Sequence, residues 1–227
     1  VRALYLDRET QALPTEVRER IETTLLGFRY WLDEPGDDGM CYWTENHQIL
    51  FHSGELLMGQ LFPEATFGNS GMTGAEHVAH AIPRLHRWLD LRGRLGFSEW
   101  HSNVYFNEDI PALVNLADFA EDPAIREKAA MVLDVLALDL LANMYRGTFA
   151  TVHGRTYESK FLDRLNDSTR TAAYIMLGLA SPDGDTDFSG SFLATSPRYV
   201  VPPILEELAA TVANRYVHRQ RDSFDIA

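Results

Sequence analysis

The chain has 227 residues, of which 45% are hydrophobic, 11% aromatic and 23% charged, a balance that excludes disordered, collagen-like and mucin-like chains and allows one domain with a substantial core. Twenty Lys and Arg stand against thirty-three Asp and Glu, and the field of the resulting net charge of −13 repels nucleic acid and anionic membrane surfaces. The single cysteine, Cys41, excludes an intramolecular disulfide framework and a cysteine-based zinc cluster.

Pro14 to about Asp33 carries Val17, Ile21, Leu25, Phe28 and Trp31 at spacings of three and four, which predicts an amphipathic helix stopped by Pro35-Gly36-Asp37-Asp38-Gly39. A second helix is predicted from about Glu45 to Leu61; its Ser53, Gly54 and Gly59 suit close helix contact, so it is expected to be buried. Thr73-Gly74-Ala75-Glu76 reads as a capping box opening a helix to about Leu95, with a kink or break expected near Ile82 because Pro83 removes a backbone donor. Asn107 is a candidate N-cap for Glu108–Phe119. Asp122-Pro123 supplies a cap and a first-turn proline for the strongest helical run, Ile125 to Met144. Two more helices are expected over Thr169–Leu179 and roughly Tyr199–Tyr216, the second with Pro202-Pro203 at its start. No apolar run approaches the ~20 residues that cross a bilayer, and no Val/Ile/Thr alternation predicts a strand. The expected architecture is therefore all-α, a single domain over 1–227 built from about seven helices in hairpins.

Three loop segments concentrate polar and aromatic side chains. Tyr42-Trp43-Thr44-Glu45-Asn46-His47 places an amide, an imidazole and a flat indole at a loop-to-helix junction, groups that suit a sugar site. The segment Phe97–Asn107 holds four aromatics with Glu99, His101 and Asn103, and Tyr105 brings a phenol able to move a proton. The third, His153 to Lys160, adds the planar cation of Arg155 and two titratable groups, His153 and Tyr157. For the first two the competing reading is local packing, with capping at Thr44 and an Ω-like loop covering a helix end; the third is weak as a local motif and gains value because a hairpin array would bring the three clusters together at helix ends.

Other features carry less. His77-x-x-His80 has helical spacing, but the sequence fixes no third ligand, so these read as solvated histidines and no metal is expected. Arg84, Arg87, Arg92 and Arg94 read as a solvated basic helix face, and Asp183–Asp187 as a surface turn lacking the final glutamate of a calcium loop. No phosphate loop, dinucleotide fingerprint or nucleophile elbow is present, so no cofactor is expected.

Asn46-His47 at the mouth of a helix, followed by Glu99 and Tyr105 ahead of another helix, resembles the α/α-toroid polysaccharide lyases, most nearly the alginate lyases and more distantly the chondroitin/hyaluronate and heparinase-type enzymes. In that group an Asn-Asn-His motif opens a helix; here Glu45 stands where the first Asn would be. The resemblance covers about residues 43–142. It implies an α/α-toroid or part of one, the abrupt start at Val1 fitting a piece of a larger toroid with further domains or a partner protein. It also implies a glycan substrate, and a soluble chain that is secreted or periplasmic if it acts as a lyase. The implied roles are Asn46 with Arg155 neutralising a uronate carboxylate, His47 or Tyr105 taking the neighbouring proton, and Trp43 and Trp100 stacking on sugar rings, with Glu45, Glu99, His101, Asn103, His153 and Tyr157 around the substrate. The acidic charge opposes a polyanionic substrate, which keeps two alternatives open. One is a glycoside hydrolase pairing Glu45 with Glu99 or Asp109; the other is a non-catalytic helical module.

Overall fold

The structure, a computed structural model, describes residues 1–181, 188–211, 217–220 and 222. They contain ten helices: α1 (Arg2–Thr10), α2 (Thr15–Leu26), α3 (Glu45–Leu61), α4 (Gly74–Leu95), α5 (Phe106–Phe119), α6 (Pro123–Asn143), α7 (Glu158–Leu162), α8 (Arg170–Leu177), α9 (Ser189–Ala194) and α10 (Pro203–Ala210). Among the described residues, β structure is limited to a two-residue antiparallel ladder, Met144–Tyr145 with Thr148–Phe149, and an isolated Thr66–Thr73 bridge. Helices α3 and α4 form one hairpin, α5 and α6 another; α3 packs across α5 and α4 across α6, with α8 and α9 closing the far side. The main core runs through all four long helices, from Ile49 and Leu56 through Leu85 and Leu89 to Leu113, Leu133 and Leu136. A satellite cluster of Leu4, Tyr30, Met58 and Phe67 seats α1 and α2 against the end of α3.

Several elements form where the sequence places them. Helix α3 keeps the predicted ends and buries ten of its residues. The capping box of α4 is complete, with Glu76 N–H donating to Thr73 Oγ1 and Thr73 N–H donating to the Glu76 carboxylate. Asp122 caps α6 through Ala124 N–H, and α8 ends at Gly178 in the left-handed region. No helix among the described residues is long and apolar enough to cross a membrane.

The differences have physical causes. Helix α4 passes unbroken through Pro83. The lost bond and ring clash cost about 3 kcal/mol, whereas burying Leu85, Trp88 and Leu89 on one continuous face returns about 1.5–3 kcal/mol for each large side chain. Helix α2 stops at Leu26 rather than near Asp33, because the buried Glu34 carboxylate accepts from Tyr30 N–H (3.0 Å) and Trp31 N–H (3.2 Å) and holds that segment as a turn. Asn107 is not a cap: α5 begins at Phe106, two residues before the expected Glu108, and Asn107 Oδ1 accepts from Ser189 N–H at the start of α9. Helix α10 is shorter than expected; residues 212–216 and the Asp183–Asp187 turn lie outside the described residues. His77 and His80 are not solvated, since both donate or share a proton with the wholly buried Glu55 at 2.8 and 2.6 Å. Nor is Arg92 part of a solvated face: it is buried in an ion pair with Glu45.

The α3–α4 hairpin is closed by two glycines. A Cβ on Gly59 would stand 2.5 Å from the Gly74 carbonyl oxygen, and one on Gly74 would stand 2.1 Å from that of Phe62. Gly93, exposed on α4, meets nothing within 4 Å. Chemical denaturation should therefore show Gly74→Ala destabilising by about 2–3 kcal/mol through backbone displacement, and Gly93→Ala stabilising by about 0.5–1 kcal/mol through helix propensity.

Candidate acid–base site

The site is assembled where the first turns of α3 and α5 meet the loop 97–105. Its foundation is Glu45, the first residue of α3. The buried Glu45 carboxylate accepts from Ser98 N–H (2.9 Å), Ser98 Oγ–H (2.5 Å) and Glu99 N–H (3.3 Å), and pairs with the Arg92 guanidinium. The Glu45 carbonyl also accepts from the indole N–H of Trp88. One buried anion thus fixes the turn that carries Glu99 against the amide ends of α3.

Asn46 comes next. Its Nδ2 donates to Glu108 Oε2 at 2.7 Å, joining α3 to the first turn of α5, while its Oδ1 lies 2.9 Å from Thr44 Oγ1. Glu99 faces the backbone N–H of Asn46, Glu108 and the Arg155 and Arg92 guanidiniums; its Oε2 is buried and makes no hydrogen bond. Burial pushes the Glu99 carboxyl up, the Asn46 N–H pulls it down and the Glu108 charge raises it again, leaving it at about 7 against an ordinary 4.5. Asp109 lies behind them, wholly buried, with neither carboxyl oxygen hydrogen-bonded; burial and the charges of Glu99 and Glu108 raise it well above the ordinary carboxylate range. Glu99 and Asp109 are thus both raised beside the Glu108 carboxyl, and each holds its proton more tightly than an ordinary carboxyl does.

The segment 153–157 is pinned to this loop by two bonds, Gly154 N–H to the Trp100 carbonyl (2.8 Å) and Ser102 Oγ–H to the Arg155 carbonyl (2.8 Å). That pinning brings Arg155 and Tyr157 beside Tyr105, which precedes α5. The phenols of Tyr105 and Tyr157 interact, the Arg155 guanidinium contacts both, and burial followed by the Tyr157 hydrogen bond raises Tyr105 above its ordinary value. Trp43, 66% exposed beside the α3 N-terminus, offers a free apolar face.

Asn46, Glu99, Tyr105, Arg155 and Tyr157 therefore converge, while other sequence-predicted residues go elsewhere. His47 is engaged locally: its Nδ1 lies 2.5 Å from Thr44 Oγ1, the hydroxyl that also bonds Asn46, and its ring packs near Phe51. Glu45, exhausted by its donors, is an anchor rather than a substrate contact or half of a carboxylate pair. The Trp100 ring packs at a tilt against His101, with centroids 4.4 Å apart. His101 is buried with Nε2 3.1 Å from Gln220 Oε1, and its carbonyl accepts from His153 Nδ1 at 2.6 Å. Asn103 and His153 line a different cavity of about 370 Å³ with Phe149, Lys160, Asp163 and Asp167. Glu108 and Arg92 were not legible as site residues, because an acidic first turn and a basic last turn are what any helix dipole favours.

Fold and site together define an all-α protein with an acid–base cluster at the joined starts of α3 and α5. No protein-family model, curated protein or solved structure matches this chain.

A carboxyl raised by folding binds more protons in the native than in the unfolded chain, so stability falls as pH rises from the ordinary 4.5 through about 7. Glu99→Gln mimics the protonated form at every pH. Thermal melts from pH 5 to pH 8 should show the variant gaining on wild type as pH rises; a difference independent of pH would mean that Glu99 titrates alike in both states.

Proposed function

We propose that the chain is a glycan-cleaving acid–base enzyme, with hydrolysis of a glycosidic bond the reaction its geometry supports best. The observation that carries this reading is Glu99, whose buried Oε2 makes no hydrogen bond and whose carboxyl is raised to about 7, beside a second carboxyl, Glu108, held by the Asn46 amide. Glu99 would give its proton to the leaving glycosidic oxygen, while Glu108 takes one from the water whose oxygen joins the anomeric carbon. Exposed Trp43, just ahead of α3, and Tyr157, beside Tyr105, would serve as stacking faces. The α3–α4 and α5–α6 hairpins, each paired within itself and packed on the other, would be successive hairpins of an α/α-toroid.

Arg155 favours a second reading, β-elimination from a uronate. There its guanidinium and the Asn46 amide would pair with the sugar carboxylate, and the neighbouring Tyr105 would return a proton to the leaving oxygen. The raised Tyr105 phenol suits a donor and opposes a base, which places elimination second.

Incubation with neutral and uronate polysaccharides separates the two. New reducing ends without ultraviolet absorbance select hydrolysis, and reducing ends with absorbance from an unsaturated uronate select elimination. Under the hydrolytic reading Glu99→Gln should lower kcat by about 10²–10⁴-fold, abolish the activity loss above pH ~7, and leave the helical circular-dichroism signal intact. Trp43→Ala should raise KM by roughly five-fold with little change in kcat. No product from any polymer, with the fold intact, would contradict the proposal.

A further inference from the structure

Further along α3, beyond the acid–base cluster, the α3–α4 hairpin gathers a second polar group around the wholly buried Glu55. Glu55 Oε1 lies 2.8 Å from His77 Nδ1 and 2.6 Å from His80 Nδ1, while His52 Nδ1 faces Oε2 across 3.7 Å, too far for a hydrogen bond. His80 also reaches outward. Its Nε2 lies 2.9 Å from Oδ2 of Asp33, in the 31–34 turn that comes before Tyr42 and Trp43. We propose that His80 is a pH-operated clamp: with a proton on both ring nitrogens it ties the 31–34 turn to the α3–α4 hairpin, and loss of one proton frees that turn.

The geometry fixes the charge of the ring. A carboxylate only accepts, so two ring nitrogens at 2.6 and 2.9 Å from two different carboxylates must both donate, and a neutral imidazole has a single N–H. Asp33 Oδ2 also accepts from Arg84 Nη2 at 2.9 Å. His77 needs no second proton: its Nδ1 donates to Glu55, and its Nε2 accepts from Ser70 Oγ–H, whose oxygen in turn accepts from Met72 N–H. The buried cluster therefore holds one anion, Glu55, and one imidazolium, His80, with the Asp33–Arg84 pair at its rim.

The charged and titratable groups around His80 come from each element packed there: His52 and Glu55 on α3, His77 and Arg84 on α4, Asp33 and Glu34 in the turn. Burial lowers the His80 ring and the Arg84 charge lowers it further, but the Asp33 bond and the Glu55 charge outweigh them and raise it above the ordinary 6.5. Burial pushes Glu55 up, and the three histidines outweigh that and leave it at about 2; burial pushes His52 down, which keeps that ring neutral. When His80 loses a proton, the remaining one stays on Nδ1, because buried Glu55 has no water to replace it, whereas Asp33, 52% exposed, keeps Arg84 and solvent. Nε2 then turns a lone pair toward Asp33 Oδ2, and the two repel. The turn so freed is the one in which Glu34 accepts from Tyr30 and Trp31 N–H, and the Trp31 ring meets Tyr42 edge-on at 6.0 Å, one residue before Trp43. Because folding raises His80, its contribution to stability is fully present below the ordinary 6.5 and is lost as pH rises through the folded value.

The test follows the full chain by NMR. Ring-nitrogen shifts of His80 should show both nitrogens protonated in the acid form, with a titration midpoint above the ordinary 6.5. Through that midpoint the hydrogen-exchange protection factors of the Trp31 and Glu34 amides should fall by about ten-fold, while those of α6 amides hold steady. Asp33→Asn replaces a half-exposed carboxylate by an amide that can accept from Nε2–H or donate to a bare Nε2, so it should lower the midpoint and abolish the fall. A His80 midpoint at or below 6.5 would overturn the proposal, as would a raised midpoint with no change in protection of the turn. So would a fall in protection that Asp33→Asn leaves intact. The wild-type titration decides the first two outcomes without any variant, and no readout needs catalytic activity, so the clamp stands or falls separately from the glycan-cleaving reading.

Discussion

The pairing of Glu45 with the 97–99 turn is the constraint on which the candidate site depends. A buried carboxylate at the start of a helix is costly unless donors surround it, and here Arg92, two backbone amides and a serine hydroxyl do so. The consequence is geometric. With Ser98 and Glu99 tied to α3, Glu99 is carried to the Asn46 amide, and Tyr105 is set at the entrance to α5. The 153–157 segment then needs only the bonds from Gly154 and to Arg155 to bring a cation and a second phenol to the same place. Without that anchor the loop would have no reason to present a carboxyl group next to Glu108 and Asp109, where mutual repulsion and burial keep protons in place.

The long helices were legible in the sequence because their signals were local. The capping box at Thr73, the Asp122-Pro123 start and the leucine spacing of α6 each specify a boundary or a face within a few residues. What was not legible depends on partners distant in the chain. The early end of α2 needs Glu34 to outcompete helical bonding, and the continuity of α4 through Pro83 needs a core that repays the lost bond. Short α1, α7 and α9 carry too few residues for a period to show; α9 is held by its packing on α5 and α8, and α1 by the Arg2 contacts with α5.

The site divides in the same way. Asn46, Glu99, Tyr105, Arg155 and Tyr157 were recognisable by residue type, and the fold brings them together over about 110 residues of chain. Glu45 and His47, chosen by the same reasoning, belong respectively to the foundation and to a neighbouring packing contact. Residue chemistry identified the groups able to react; only three-dimensional burial separates a carboxylate saturated by donors from one left with a free oxygen. The same distinction governs the second half of α3, where Glu55 gathers three histidines. Helix α3 is thus the spine of both polar centres, and its glycine contact with α4 sets how closely the walls approach.

The central claim is that this packing holds the Glu99 carboxyl protonated near neutrality. It is tested most directly by following the Glu99 side-chain carboxyl carbon by NMR through a pH titration of the intact chain. The account predicts a midpoint of about 7, moving downward when Glu108 is replaced by Gln because one of the raising charges is removed. A midpoint at or below the ordinary 4.5, or one indifferent to Glu108, would contradict it.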